Sequence, residues 1–359
     1  MTRGVATLTA SLVIVLGLVI AATTIHVPYV IFQPGPVTNT LGDVPAADTS
    51  NGHAGGPVIS IKGPPTHANG GRLYLTTVSE VPGSCSAHPT FWEAVRAWFD
   101  KTNTVEPQQV VCPPGQTSQQ VEHENAQQMT QSQSDAVTAA LFQLGYHPSS
   151  QHITVGSVDS GAPASDVLED ADVILALDGQ PVSTLAQLRA TLDTLRPGDP
   201  IRLTIRRDGK TKTVATKTTR GPDGSAVIGI TADRSATFPG VTVTIGIDPN
   251  VIGGPSAGTA LALGIIDKLT PGGLTGGRTV AGTGTVDGFG RVGPIGGIQQ
   301  KIAGAHRAGA TVFFAPASEC NDAKAAAPRS MTLISVRTLA GVVHALEAIK
   351  AGGTDFPHC

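Results

Sequence analysis

The chain has 359 residues, enough for two or three domains with buried cores; 40% are hydrophobic and only 14% charged. So few charges exclude a coiled coil, and 43 glycines without a three-residue period exclude collagen, while 26 prolines add to the expectation of frequent turns. With 24 basic and 27 acidic residues, a net charge of −3 and 4% aromatics, the composition argues against nucleic-acid binding, which draws on basic surplus and stacking rings.

The first predicted element is an apolar helix. After Arg3 no charged side chain occurs until Asp43, and Val5 to Ile25 is almost wholly apolar or small. About 20 such residues span a hydrocarbon core of about 30 Å. A cleaved signal peptide is the alternative, but its apolar region runs to about 7–15 residues, and Ala21-Ala22-Thr23 is a poor A-x-A cleavage site. A retained anchor over residues 1–30 is the expectation, since no polar stripe marks the solvent face of a core helix. Arg3 precedes it, Asp43 and Asp48 follow, and the first lysine is Lys62. The positive-inside rule then keeps the start cytoplasmic and exports the rest. Export suits the four cysteines, Cys85, Cys112, Cys320 and Cys359, which form no C-x-x-C pair. An even number suggests disulfides. Three connectivities are open, the nearest-neighbour one being Cys85–Cys112 with Cys320–Cys359, and four free thiols are the alternative.

Residues 31–56, rich in Pro, Gly and small polar residues, read as linker. Residues 57–143 read as a small β-strand and helical region. Val58–Lys62 and Arg72–Val78 are strand-like, and Pro89–Asp100 is helix-like with Trp92, Val95 and Phe99 at helical spacing. Both tryptophans, Trp92 and Trp98, lie there; the stripe is expected to be core, with a membrane interface as the alternative. Residues 117–143 carry no Pro or Gly and predict one long polar helix or two shorter ones.

Residues 144–220 change rhythm. His152–Val158 and Asp172–Asp178 predict strands, and Ser183–Leu195 a helix with Leu185, Leu188, Leu192 and Leu195 on one face, stopped by Pro197-Gly198-Asp199. Ile201–Arg206 and Thr211–Ala215 predict a hairpin across Asp208-Gly209. Val158-Asp159-Ser160-Gly161-Ala162-Pro163-Ala164, followed by Asp170-Ala171-Asp172-Val173-Ile174 and Leu177-Asp178-Gly179, resembles the PDZ domains associated with bacterial proteases, with Ala171 where those have glycine. The resemblance implies an extended peptide added to a sheet edge, often held by its C-terminal carboxylate; a purely structural PDZ is the other reading. The nearest candidate for a carboxylate loop is Leu144-Gly145-Tyr146.

Residues 225–351 alternate strands and helices, with Ala226–Ala232 and Val241–Ile247 strand-like. Gly253-Gly254-Pro255-Ser256-Ala257-Gly258 then opens an apolar helix over Thr259–Leu269. A glycine-rich turn before a helix aims unpaired amides at its first residues, which suits an oxyanion or a phosphate. No charged phosphate partner lies in the loop. G-x-x-x-x-G-K-[ST] is also missing, since Thr204 stands where Gly209-Lys210-Thr211 would need a glycine. Farther on, Gly297–Ala308 predicts a helix with Ile298, Ile302 and Ala305 beside Lys301. A lysine on an apolar stripe is desolvated, and its amine becomes available as a base.

Gly254-Pro255-Ser256-Ala257-Gly258, Ala281-Gly282-Thr283-Gly284, and Pro294-Ile295-Gly296-Gly297 with Lys301 and Ala305-His306-Arg307-Ala308-Gly309 together resemble the proteolytic domain of Lon-family Ser–Lys peptidases. The resemblance implies an α/β Lon-type protease fold with Ser256 as nucleophile and Lys301 as general base. Thr283 orients the lysine in this reading, Gly254 shapes the turn, and the Ser256 and Ala257 amides receive the oxyanion. A plain helix cap and a surface lysine are the bland alternatives. His306 with Asp267 or Asp287 would be a Ser–His–Asp set, but the helical register turns His306 away from Lys301. No H-E-x-x-H zinc motif occurs. Anchor, PDZ and Lon-type domain in one chain resemble the membrane-anchored, ATPase-free Lon-like proteases of Gram-positive bacteria. That implies an α/β chain cleaving extracytoplasmic or membrane-associated protein or peptide substrates without ATP, cofactor or metal. It admits a homo-oligomer, since Lon-type domains are often ring-forming hexamers. A non-catalytic membrane adaptor binding peptides through the PDZ domain is the rival.

Overall fold

A computed structural model describes residues 2–48, 55–82, 85, 87–159, 161–221 and 224–359, with side chains given from Thr7 onward except at residue 47. Ser160 of the PDZ-like motif and residues 49–54 of the expected linker lie outside the described residues. Helix α1 (Thr2–Thr24) bears out the apolar helix; its large described apolar side chains, from Leu8 to Ile20, are exposed. Near its end the Thr23 and Thr24 hydroxyls donate back to the Val19 and Ile20 carbonyls at 3.0 and 2.7 Å, so their polarity is satisfied within the helix.

The expected linker over 31–56 is corrected at its start, because Tyr29–Asn39 forms strand β1. Strands β2 (Ile59–Lys62) and β3 (Arg72–Val81) follow, with β1 antiparallel to β3. Pro34-Gly35-Pro36 disguised β1. The β1–β3 register shifts between Pro34 and Val37, and such an irregularity tolerates residues that cannot donate to the ladder. A Cβ on Gly35 would lie 2.3 Å from Thr77 Oγ1, so only glycine lets the strands approach there. Helix α2 (Phe91–Trp98) starts on a Thr90–Glu93 capping box, and β4 (Thr104–Pro107) pairs with the other edge of β1. The expectation that the tryptophan stripe is core is corrected: Trp92 is 54% and Trp98 79% exposed, and α2 buries only Ala94 and Ala97. Helix α3 (Ser118–Gln143) is a single helix with a Thr117–Gln120 capping box and an Ala-rich buried face. Leu144-Gly145-Tyr146 is its C-terminal cap, where the Tyr146 amide donates to the Leu141 carbonyl at 3.0 Å; these residues form no sheet-edge loop.

The next unit contains β5 (Ser150–Val158), β6 (Val173–Leu177), β7 (Gln180–Pro181), α4 (Leu185–Leu192), β8 (Pro200–Arg207), β9 (Lys210–Lys217), β10 (Thr219–Arg220), β11 (Ala226–Val227) and β12 (Ile230–Thr237). Its main sheet runs β12-β5-β6-β8-β9, all antiparallel. Leu188 and Leu192 of α4 pack on Ile153, Ile174 and Leu203. The predicted hairpin turns with positive φ at Asp208 and Gly209. Ala171 adopts φ 66°, a left-handed conformation that favours glycine. Buried Asp172 beside it accepts Arg207 Nε at 2.7 Å and Nη2 at 2.6 Å. The strand that the sequence predicts over Ala226–Ala232 in the last unit is instead β11 and the start of β12, and β12 closes the edge of this sheet, beside β5.

The last segment supplies β13 (Thr242–Ile245), α5 (Gly258–Leu269), β14 (Thr279–Gly282), β15 (Thr285–Val286), β16 (Val292–Gly293), α6 (Ile298–Arg307), β17 (Val312–Pro316), α7 (Cys320–Ala326), β18 (Thr332–Val336) and α8 (Leu339–Lys350). It does not form its sheet alone. The order is β18-β17-β14-β3-β1-β4, with β14 parallel to both β17 and β3, and β13 pairs with β2. The β5–β12 unit is thus inserted into a domain whose sheet draws strands from both sides of it. Disulfides join Cys85 to Cys112 and Cys320 to Cys359, with Cα separations of 5.6 and 5.0 Å, the nearest-neighbour pairing.

Candidate active site

Ser256 sits one residue before the N-cap of α5, on a turn that depends on Gly254 at φ 81°. The Gly254 amide donates to the Asn125 carbonyl at 2.8 Å, and Ser132 Oγ donates to the Pro255 carbonyl at 2.9 Å. Both contacts come from α3. Sequence reasoning missed Asn125 and Ser132, because a Gln- and Ser-rich helix reads as solvated and no local motif marks them. Gly258 needs to be small: a Cβ there would lie 2.8 Å from Ser132 Oγ.

Lys301 arrives from α6, whose first turn starts from Gly297 at φ 68°. It is 3% exposed, with Ile298 and Ile302 buried on the same helix. Its Nζ lies 2.8 Å from Ser256 Oγ and 3.3 Å from Thr283 Oγ1. Burial pulls the Lys301 pKa down to about 7, against a weak opposing pull from Glu319. The position, in the first turns of a helix, disfavours a cation in the same direction. Thr283 is buried directly after β14, and its hydroxyl donates to the Ser256 carbonyl at 3.1 Å. With that proton committed, Thr283 Oγ1 turns lone pairs to Lys301. A neutral lysine can then donate one N–H to Thr283 and present its own lone pair to the Ser256 hydroxyl.

Among the described residues no acceptor pairs with the Ser256 or Ala257 amide, while the Ser256 carbonyl accepts the Gly284 amide at 3.1 Å. The site opens on a cleft of about 1190 Å³, above the roughly 300–1,000 Å³ of small-molecule pockets. One wall is β3 beyond Leu75. There the β14 pairing ends, and Thr76 to Glu80 line the cleft with no strand on that side among the described residues. Glu80, Glu106, Glu319 and Asp322 also line it, and burial raises the Glu80 pKa. Ser256, Lys301, Thr283, Ala257 and Gly254 are therefore brought together. His306 is exposed on α6. Asp267 is occupied by Asn69 and the Leu274 amide, and Asp287 is paired with Arg291. The four cysteines are spent in the two disulfides.

A PDZ-domain family model matches residues 123–218, and the model of the Lon protease C-terminal proteolytic domain matches residues 241–348. Lon protease 2 of Herpetosiphon aurantiacus is 48% identical over 69 residues, 19% of this chain and 8% of that protein. Lon protease 1 of Bacillus subtilis is 48% identical over 63 residues, 18% of this chain and 8% of that protein. Lon protease of Syntrophomonas wolfei is 39% identical over 111 residues, 29% and 13% respectively. The chain thus spans 8–13% of the length of these relatives. The PDZ domain of the SdrC-like protein from Listeria monocytogenes is 27% identical with a TM-score of 0.22, covering 23% of this chain and 86% of that one. The chain carries a PDZ domain and a Lon-type proteolytic domain.

Proposed function

We propose that this chain is a membrane-anchored, ATP-independent serine endopeptidase that cleaves extracytoplasmic or membrane-associated polypeptides. The observation that carries the proposal is the 2.8 Å approach of a buried lysine amine to a serine hydroxyl at the floor of a polymer-sized cleft. Neutral Lys301 takes the proton of Ser256 as Oγ attacks the scissile carbonyl. The developing oxyanion turns toward the unpaired Ser256 and Ala257 amides, where fixed dipoles in a water-poor site stabilise it without reorganising. Protonated Lys301 next gives its proton to the leaving amine. It then removes one from the water that releases the acyl-enzyme. Thr283 is a positioning residue in this scheme, holding the amine and the Ser256 carbonyl in one register.

The open edge of β3 supports an extended substrate backbone laid across the cleft, as in strand addition. The apolar, exposed α1 supports anchoring, and Arg3 before it with Asp43 and Asp48 after it supports an exported catalytic unit. These 359 residues contain no phosphate loop, which supports cleavage of already unfolded chains without nucleotide.

The test is hydrolysis of an unfolded protein by the full chain and by Ser256→Ala. The variant should lose activity by roughly 10³-fold or more, as for a residue acting within a catalytic unit, and ATP should leave the wild-type rate unchanged. Undiminished cleavage by Ser256→Ala overturns the assignment. A wild-type chain that binds unfolded peptides without cutting them is an adaptor.

A further inference from the structure

We infer that α2 lies in the outer interfacial layer of the membrane that α1 crosses, its exposed aromatic face against lipid, and seats the catalytic cleft at a fixed height above the bilayer. The inference rests on the membrane-anchored reading of α1. Phe91 is 50%, Trp92 54%, Trp98 79% and Phe99 86% exposed. At about 100° per residue, these four and Val95 fall within an arc of roughly 120°, while Ala97 opposite it and Ala94 on its flank pack into the protein. The helix is fastened by its small residues and shows its large ones outward, the reverse of an ordinary surface helix. Aromatic side chains of about 150–250 Å² each, at these exposures, leave on the order of 500 Å² of contiguous apolar surface, at the upper limit for soluble monomers.

Position decides what covers this face. The Phe91 amide donates to the Ile25 carbonyl at 2.8 Å, and the Val27 amide to the Pro89 carbonyl at 2.9 Å. His26 and Thr90 form a β-bridge. The aromatic helix is therefore bolted to the chain one to three residues beyond the end of α1. The interfacial layer on each side of the hydrocarbon core is several ångströms deep and is where tryptophan and other aromatics concentrate. From Phe91 to Trp98 is about 10 Å along a helix, so α2 keeps its aromatics at that level only by lying along the surface. β1 starts at Tyr29 and Phe32 already lines the cleft, about 10 Å of strand farther on. A seated α2 thus holds the cleft close to the bilayer, within reach of membrane-proximal segments of exported polypeptides.

Both tryptophans of the chain lie in this helix, so tryptophan emission, excited beyond the absorption of the three tyrosines, reports on it alone. The full chain is reconstituted into phosphatidylethanolamine–phosphatidylglycerol vesicles carrying bromine either near the headgroups or near the acyl-chain ends. The expected result is a blue-shifted emission with a larger loss of intensity from shallow than from deep bromines, in wild type and in Trp92→Phe and Trp98→Phe. If the chain floats with the vesicles but its emission stays unshifted and unquenched, α2 stands in water and the inference fails while the anchor stands. Blue-shifted but unquenched emission means that protein, such as a second copy, covers the face, and also overturns it. A chain that does not float with vesicles removes the anchor, and the inference with it.

Discussion

A lysine in water holds its proton to a pKa near 10.5, whereas the Lys301 amine, buried on the helix that also buries Ile298 and Ile302, is held at about 7. The sign follows directly. The folded state binds this proton less readily than the unfolded chain, so the stability associated with the group is fully present above pH 10.5. It declines as pH falls and is lost once pH passes below about 7. Lys301→Met, apolar and of similar length, removes this liability. Denaturant melts should show the variant gaining on wild type as pH falls, by on the order of a few kcal/mol below neutrality, with activity absent throughout. Parallel pH profiles for the two proteins would mean that Lys301 is not desolvated. The apolar stripe around this lysine was legible in the sequence because helical spacing fixes which residues are neighbours. The Asn125 and Ser132 contacts to the nucleophile turn were not, since they join positions more than 120 residues apart through packing of α3 on α5.

Helix α3 also joins the two folded units, and its chemistry there is unusual. Asp135 is pushed up to about 9, by burial first and then by the charge of Asp233 on β12. Gln131 Nε2 donates to it at 2.8 Å, and Asp287 lies near enough to add to the shift. Asp233 in turn accepts the Gly288 amide, and the Arg234 guanidinium sits 3.5 Å over the Phe142 ring. A carboxyl whose folded pKa is raised contributes stability that is complete below its unfolded value and lost as pH rises through the folded one. The joint should therefore weaken as pH rises from the ordinary carboxylate range and level off once pH passes about 9. Asp135→Asn keeps a donor toward Asp233 without an ionisable proton. Its Tm should fall less than that of wild type on going alkaline, as read by calorimetry, and an unchanged pH slope would show that the pair does not share a proton. Periodicity located most of the helices and strands, including the β8–β9 hairpin. It misread β1, where Pro-Gly-Pro imitates a linker but fills a register shift. It misread the face of α2 as well, because spacing identifies a face as apolar without saying whether the rest of the chain covers it.

The molecule is built by interleaving. The proteolytic sheet takes β14, β17 and β18 from the C-terminal segment and β1, β3 and β4 from residues before the PDZ domain. That arrangement could not be read from composition, since strand pairing across an inserted domain leaves no local mark. It carries a consequence for dissection. A fragment of residues 225–351 would expose the β14 edge that β3 covers and lose the α3 contacts to Gly254 and Pro255. Such an uncovered edge invites aggregation. The fragment should lack a cooperative thermal transition and proteolytic activity, whereas a chain beginning near residue 26 should retain both; a folded, active 225–351 fragment would contradict the interleaved architecture.

The proposed peptidase activity turns on an uncharged Lys301 activating Ser256. The most direct test is single-turnover acylation, followed as the mass added to Ser256 by a peptide ester, across pH values on both sides of neutrality and with folding checked at each. The rate should rise through one ionisation near 7, where Lys301 sheds its proton, and then level off. Lys301→Arg, whose guanidinium keeps its proton, should not acylate at any of these pH values. A rate independent of pH, or acylation by Lys301→Arg, would remove Lys301 from the role of base.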